Sequence, residues 1–359
     1  MSRSEPVRVL VVDDSALMRK LLTDILRTSP EIDVVGTARD GPEAIELTRR
    51  LKPDVVTLDV EMPGMSGLEA LPALFMAHEA PVVMVSALTR EGAKVTIEAL
   101  ELGAFDFLHK PAINQMAELR GLRDVLVGKV LAASRSKVRR PSPARAYRPP
   151  SQSEMAVSAP TPSISATDVV VLGISTGGPQ ALGQALLGLE PPIPPLLIVQ
   201  HMPPGFTYVF AERLGRNCGL TVKEAEDGDR VVPDQILVAP GGRQMSLIGR
   251  SPRVRVTITD GPPVSGHRPS VDVLFTSASN TFGSRAVGII MTGMGRDGVD
   301  GCKAILAAGG TTFGQDEATS VVYGMNKAAF LEGAVRRQFA LEELPAILSR
   351  LARKGPPPS

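Results

Sequence analysis

Ser175 lies in the run VVVLGISTGGP, from Val169 to Pro179, where β-branched apolar residues give way to a small hydroxyl among glycines. A buried parallel strand hands a nucleophile to the start of a helix in this way, and a glycine-rich phosphate loop has the same look. A serine hydroxyl attacks only when a base takes its proton. The chain has four histidines, of which His78 and His109 fall in the amino-terminal half and His201 and His267 beyond it. His201 ends the run PLLIVQ and precedes MPPG, whereas His267 sits in GPPVSGHRPS and serves only if that loop folds over the site. Position at a strand end favours His201. The third partner is a carboxylate that holds the imidazole tautomer. Asp297, in MGRDGVDG after the strand AVGIIMTG, is the candidate, with Asp300 a near rival and a turn or helix-cap role the alternative. The order Ser175, His201, Asp297 differs from the Ser, acid, His order of α/β-hydrolases, which would need Asp229 or Asp260 and leave His201 idle.

A second set of reactive side chains is acidic. Asp13 and Asp14 follow VRVLVV, Asp59 ends DVVTLD, and Lys110 ends DFLHK. If these strands lie side by side, the carboxylates converge on one crevice opposite one lysine. Such a cluster suits a hard cation with oxygen ligands, for which Mg²⁺ is the natural choice. Exposed turn aspartates are the other reading.

The elements that must position these groups are legible as two alternating α/β runs. Val7 to Lys110 interleaves short apolar strands with amphipathic helices, and Ser29-Pro30 and Lys52-Pro53 stop two of those helices. Pro72 falls inside LEALPALF, where proline removes a helical hydrogen bond. From about Lys129 to Ala166 the pattern gives way to a Pro/Ser/Arg-rich spacer. The rhythm resumes with strands expected at VVVLGI, PLLIVQ, QILVAP, VRVTITD, AVGIIMTG and TTFGQ. Helices are expected at PQALGQALLGL, FTYVFAERLG, SVDVLFTSAS, CKAILAAG, SVVYGMNKAAF and LEELPAILSRLARK. The fold class is therefore α/β with two doubly wound parallel-sheet domains: residues 1–128, a linker over 129–166, and residues 167–355.

Composition narrows the function. A 359-residue chain with 43% hydrophobic residues and a formal net charge of +1 reads as a soluble globular protein without the basic excess of a nucleic-acid binder. The first residues, MSRSEPVRVLVVDD, are too short in apolar length for a signal peptide or membrane span, so a cytoplasmic protein with no membrane insertion is expected. Cys218 and Cys302 lack metal-ligand spacing and read as isolated thiols.

Several of these motifs carry a resemblance. Val9 to Asp14, DVVTLDVEMPGMSG around Asp59, Ser86-Ala87 and Lys110-Pro111 resemble the receiver domain of two-component response regulators, a flavodoxin-like fold. The resemblance implies that Asp59 accepts a phosphoryl group from a chemotaxis histidine kinase and that Asp13, Asp14 and Asp59 hold Mg²⁺. It further implies that Lys110 contacts the phosphoryl oxygens, Ser86 follows the phosphoryl group, and Phe107 is the switch aromatic. GISTGGP, QHMP, HRPSVDVLF and TGMGRDG resemble the Rossmann-like catalytic domain of the chemotaxis protein-glutamate methylesterases, which join a receiver to an esterase in this order.

That resemblance implies an enzyme with Ser175 as nucleophile, His201 as base and acid, Asp297 as orienting carboxylate, and the backbone amides of Met294 and Thr176 as oxyanion donors. It implies no cofactor for the ester chemistry. The implied substrates are glutamate γ-methyl esters and selected glutamines on the cytoplasmic domains of methyl-accepting chemoreceptors. Asn326 in GMNKAAF stands where the family pattern has proline, a departure expected to leave the chemistry alone. The unphosphorylated receiver is expected to cover the crevice at Ser175. A non-catalytic signalling module and a transcriptional regulator are the rival classes; the intact Ser175, His201, Asp297 set argues against the first, and the missing helix-turn-helix pattern against the second.

Overall fold

Strands with both faces buried read as unbroken apolar runs, and in the computed structural model such runs form the centre of two separate sheets. The structure describes residues 5–110, 116–136, 168–251 and 253–352, with the backbone alone over 116–121. Pro111, the spacer from residue 137 to 167 and the tail after Ala352 lie outside the described residues. The chain divides into two units, Met1–Pro141 and Ser142–Ser359.

The first unit runs β1 (Val7–Val12), α1 (Ala16–Leu26), β2 (Ile32–Ala38), α2 (Gly41–Leu51), β3 (Val55–Asp59), α3 (Gly67–Ala77), β4 (Val82–Ser86), α4 (Arg90–Glu101), β5 (Asp106–His109) and α5 (Met116–Arg135). Its strands are parallel in the order β2-β1-β3-β4-β5. Connections leave β1 on opposite sides, so the carboxyl ends of β1 and β3 flank the crevice of a doubly wound sheet. Helix starts follow local chemistry. Ser15, Asp40, Ser66 and Thr89 each cap a helix through the side-chain oxygen, and Ser66 with Glu69 forms a reciprocal capping box.

Helix α3 runs from Gly67 to Ala77 through Pro72, forgoing one backbone bond. The linker does not begin at residue 129, because α5 continues to Arg135, with Val130 and Ala133 fully buried and Lys129 paired with Asp106. An apolar face was embedded in what reads as a basic stretch.

The second unit contains β6 (Val169–Ile174), α6 (Gly178–Ala185), β7 (Leu196–Gln200), α7 (Phe206–Cys218), β8 (Thr221–Glu224), β9 (Gln235–Val238), β10 (Gln244–Ile248) and β11 (Arg255–Thr259). It continues with α8 (Val271–Phe282), β12 (Ala286–Ile290), α9 (Val299–Ala307), β13 (Thr311–Gln315), α10 (Met325–Leu331), β14 (Arg337–Phe339) and α11 (Leu344–Ala352). Seven parallel strands take the order β14-β13-β12-β6-β7-β9-β8. The central strand β6 is the switch point, with β7 on one side and β12 on the other. Helix α8 packs so closely on β6 that a Cβ at Gly173 would lie 2.3 Å from Val271 Cγ1.

The run VRVTITD is a strand but not part of this sheet. As β11 it pairs antiparallel with β10, and the buried Val256 and Ile258 join Met245, Leu247 and α8 in the core. The helix expected over SVVYGMNKAAF is confined to Met325–Leu331. The last helix is preceded by a single 3-10 turn at Leu341–Glu343, because Pro345 has no amide to extend an α-helical turn backwards.

Candidate functional site

Three strand ends of the second unit meet at the switch point. Ile174 is in register with Gln200, so Ser175 and His201 are the next residues on neighbouring strands, and the His201 amide donates to the Ile174 carbonyl at 3.1 Å. On the other side the Ser175 amide donates to the Thr292 carbonyl at 2.9 Å, just past β12. Gly293 is needed there, since a Cβ would lie 2.7 Å from Ser175 Cβ and 2.5 Å from Met325 Sδ. Ser175 is half-buried and begins a tight turn into α6, with Gly177 at φ +78°.

Asp297 is the most constrained of the three. It is 1% exposed, and its carboxylate accepts four hydrogen bonds: from Ser270 Oγ (2.8 Å), the Val271 amide (2.8 Å), the Asp272 amide (3.1 Å) and His201 Nε2 (2.9 Å). The two amides belong to the first turn of α8, whose N-terminus favours negative charge. Burial pushes the Asp297 carboxyl up, but the bond and charge of His201 and the two amides outweigh it and hold it at about 2. The carboxylate is thus ionised throughout the neutral range. A neutral imidazole that donates through Nε2 keeps its acceptor lone pair on Nδ1.

The rival groups sit elsewhere. Asp300 is exposed and paired with Arg296 at 3.0 Å, Asp260 is exposed against Arg243, and Asp229 pairs with Lys223. His267 does reach the site, but as a neighbour of His201: the rings stack with centroids 3.9 Å apart and 10° between planes. Its Nδ1 lies 2.8 Å from the Ser265 carbonyl oxygen and 3.9 Å from Asp297 Oδ2. Ser265 has φ +52° and donates through Oγ to Asp272 at 2.9 Å. Asp272 in turn accepts from the amides of Gly298 and Gly301, and burial together with the charge of Asp297 pushes its carboxyl up.

Thr176 and Met294 follow peptide carbonyls that are fixed by hydrogen bonds. The Ser175 carbonyl accepts from the Gly178 amide (2.8 Å) and Gln200 Nε2 (3.0 Å), and the Gly293 carbonyl accepts from the Met325 amide (2.8 Å). Sequence reasoning missed Ser270, Asp272, Thr292 and Gln200. Ser270 and Asp272 lie within a motif already singled out and Gln200 directly precedes His201, so adjacency was the one available signal. Asn326 lies nearer the site than expected. It is fully buried and donates to the Gln315 carbonyl (2.9 Å) and Ser320 Oγ (2.7 Å), holding a loop whose Val321 packs on Gly177.

In the first unit, Asp13 and Asp59 are buried and Asp14 is exposed at the ends of β1 and β3. Lys110 Nζ lies 2.6 Å from Asp59 Oδ2 and 3.0 Å from Asp13 Oδ2. Burial and the charge of Asp13 outweigh Lys110 and the Glu61 amide, raising the Asp59 carboxyl to about 6. Burial lowers Lys110, yet its bonds and charge contacts with Asp59 and Asp13 carry it above the ordinary lysine value. One oxygen from each of Asp13, Asp14 and Asp59 lies within 4.8 Å of the others, an all-oxygen set that fits a hard divalent cation. Ser86 is fully buried at the end of β4, its Oγ donating to the Ala87 carbonyl at 3.3 Å. Phe107 is turned inward at 6% exposure, with Lys129 Nζ 5.8 Å from its ring centroid. Gly67 must lack a side chain, because a Cβ would lie 2.0 Å from the Asp59 carbonyl oxygen.

The family model described as CheB methylesterase matches residues 170–348, and that described as response regulator receiver domain matches residues 9–120. The chain is 45% identical over 354 residues to a protein-glutamate methylesterase/protein-glutamine glutaminase of Koribacter versatilis, covering 96% of each chain. It is 45% identical over 350 residues to the corresponding protein of Bordetella avium, covering 97% of each. Among solved structures, the CheB methylesterase catalytic domain of Thermotoga maritima is similar over 52% of this chain and 98% of its own, with 35% identity and a TM-score of 0.49. Matched in both units and along nearly its whole length, the chain belongs to the protein-glutamate methylesterase/protein-glutamine glutaminase family.

Proposed function

We propose that this chain is a phosphorylation-regulated hydrolase that removes methyl groups from glutamate γ-methyl esters of chemoreceptors and deamidates selected receptor glutamines. The observation that carries the reading is the buried, ionised Asp297 bonded at 2.9 Å to the imidazole at the end of the strand beside Ser175. Asp297 fixes the His201 ring and stabilises the imidazolium that forms when Ser175 Oγ gives up its proton. Oγ attacks the ester carbonyl carbon, and the oxyanion is held by the amides of Thr176 and Met294. Collapse breaks the C–O bond to the methoxy group, which leaves as methanol with the proton from His201. Water, deprotonated by the same imidazole, then releases the glutamate carboxylate and returns Ser175. With a glutamine side chain the leaving group is ammonia and the steps are otherwise the same.

The amino-terminal unit supplies control. Asp59 accepts a phosphoryl group from a chemotaxis histidine kinase, Lys110 and Ser86 contact the phosphoryl oxygens, and Phe107 responds to the change. Asp13, Asp14 and Asp59 would hold Mg²⁺, which when bound neutralises charge on the transferring group. A phosphoryl group adds about −1.5 to −2 charge and three acceptor oxygens, enough to draw Lys110 and the Ser86 hydroxyl toward it. The receiver unit extends to the end of α5 at Arg135, and a Pro/Ser/Arg-rich sequence joins it to the hydrolase unit. Receptor cytoplasmic domains as substrate place the enzyme in the cytoplasm; among the described residues no helix is long and apolar enough to cross a membrane.

The deciding experiment incubates the protein with methylated receptor, with and without a phosphodonor, and measures methanol. Release should rise with the phosphodonor, lose that rise in Asp59→Asn, and vanish in Ser175→Ala. Full release from the Ser175→Ala protein would overturn the assignment.

A further inference from the structure

We propose that Gln200 is a positioning residue that presets the oxyanion-binding amide of Thr176; the inference rests on the reading of Ser175 as the nucleophile. Gln200 is the last residue of β7, 2% exposed, with its carboxamide beneath the Ser175 turn. Its Nε2 donates to the Ser175 carbonyl at 3.0 Å and, more weakly, to the His201 carbonyl at 3.4 Å. Both partners are acceptors, so the amide must present its NH₂ to them and turn Oε1 away. Oε1 is buried and has no hydrogen-bond partner among the described residues. It occupies space that exists because residue 178 is glycine, whose Cβ would lie 2.0 Å from it. A buried acceptor left unsatisfied is a cost that an apolar side chain of the same length would not carry. Packing alone does not explain a glutamine here.

Peptide planarity does. The Ser175 carbonyl and the Thr176 amide belong to one peptide group, and in a trans peptide they point in opposite directions. Fixing the direction of the carbonyl therefore fixes the direction of the amide. The Gly178 amide also holds this carbonyl, but it belongs to the same glycine turn, with Gly177 at φ +78°. Gln200 is the anchor from outside that turn, and it touches the carbonyl of the base as well. One side chain thus ties the backbone of nucleophile and base together.

Charge on the carbonyl oxygen develops only in the transition state, so a misaimed amide lowers kcat and leaves KM nearly unchanged. Removing an oxyanion donor outright costs about 10²–10³-fold in kcat, and loosening one should cost about 10–100-fold. The test compares wild type, Gln200→Met, Gln200→Glu and Ser175→Ala in the full chain, measuring methanol from a glutamyl-methyl-ester peptide and affinity for a peptidyl boronic acid. Met keeps length without a donor; Glu keeps shape but turns an acceptor toward two carbonyls. Both should lose kcat by that factor with KM within about twofold, and boronate affinity should fall in parallel.

Wild-type kcat in both variants would overturn the proposal, as would a fall in kcat with boronate affinity intact or a rise in KM alone. Should Gln200→Met not fold, Gly178→Ala displaces the same carboxamide while keeping the glutamine. That variant must show the kcat loss at unchanged KM, and wild-type kcat there refutes the role. Methanol release that survives Ser175→Ala would overturn the nucleophile reading and the Gln200 assignment with it.

Discussion

At the scale of single residues, the two sites use buried aspartates in opposite ways. Asp297 is held at about 2 against its burial by the bond and charge of His201 and by the Val271 and Asp272 amides, so it stays charged and passive. Replacing it by Asn keeps the shape but changes which imidazole tautomer is favoured; kcat for methanol release should fall about 10³–10⁴-fold with little change in KM. A fall of less than tenfold would remove Asp297 from the reaction. Asp59 is raised to about 6, so its protonated form suits the fold better than its charged form. Without divalent ions, the stability this confers is full below about pH 4 and is lost as pH rises through 6, whereas Mg²⁺ held there as proposed would need the carboxylate. Titration calorimetry should therefore show Mg²⁺ affinity falling about tenfold between pH 7.5 and 5, and a flat profile would contradict the raised value. Much of this geometry was foreshadowed by strand ends: Ser175, His201 and Asp297 meet because each follows an apolar run. The bonds that Ser270 and the amides at the start of α8 make to Asp297 could not be read, because only folding brings the α8 N-terminus onto the end of β12; membership of a singled-out motif was their one signal.

Elements carry the next constraint, since the strand-to-helix turns leave no room for side chains at a few positions. Gly67→Ala would push a methyl group to within 2.0 Å of the Asp59 carbonyl oxygen, which is backbone and cannot swing aside. Overpacking of this kind costs about 1–3 kcal/mol, so the first unit should unfold at lower denaturant and lose phosphoryl uptake. Urea melts followed by circular dichroism together with phosphodonor labelling would check it; unchanged labelling would mean the β3–α3 turn has slack. The same scale explains what periodicity missed. TVKE in β8 and RQF in β14 are too short and too polar to read as strands, and both lie at the edges of the sheet. The strand β11 was legible, but its apolar alternation serves an antiparallel hairpin as well as a central sheet, so pattern alone placed it wrongly. Ser320–Gly324 escapes the helix expected there because Thr292 Oγ1 accepts the Val322 amide and Ser320 Oγ bonds back to the Asp316 carbonyl.

For the whole molecule, the question is why a phosphoacceptor and an esterase share one chain. Each unit has its own parallel sheet and its own switch-point crevice, so disabling one chemistry should leave the other intact. Ser175→Ala should still take up phosphate, and Asp59→Asn should still release methanol at the basal rate. Covalent linkage then acts through concentration: a tethered regulator meets its output unit at about millimolar effective concentration, whatever the dilution. A receiver that restrains the esterase at that concentration makes an inhibitor without high intrinsic affinity, which a modest phosphorylation energy can release. A chain beginning at Thr167 should accordingly hydrolyse methyl ester faster than the unphosphorylated full chain and ignore the phosphodonor. The full chain should accelerate with the phosphodonor to a comparable rate, by the same factor at nanomolar and micromolar protein. A truncated chain no faster than the unphosphorylated full chain would sink the restraint. Activation would then have to come from a positive contribution of the phosphorylated receiver, and deletion would lock the esterase at its low rate.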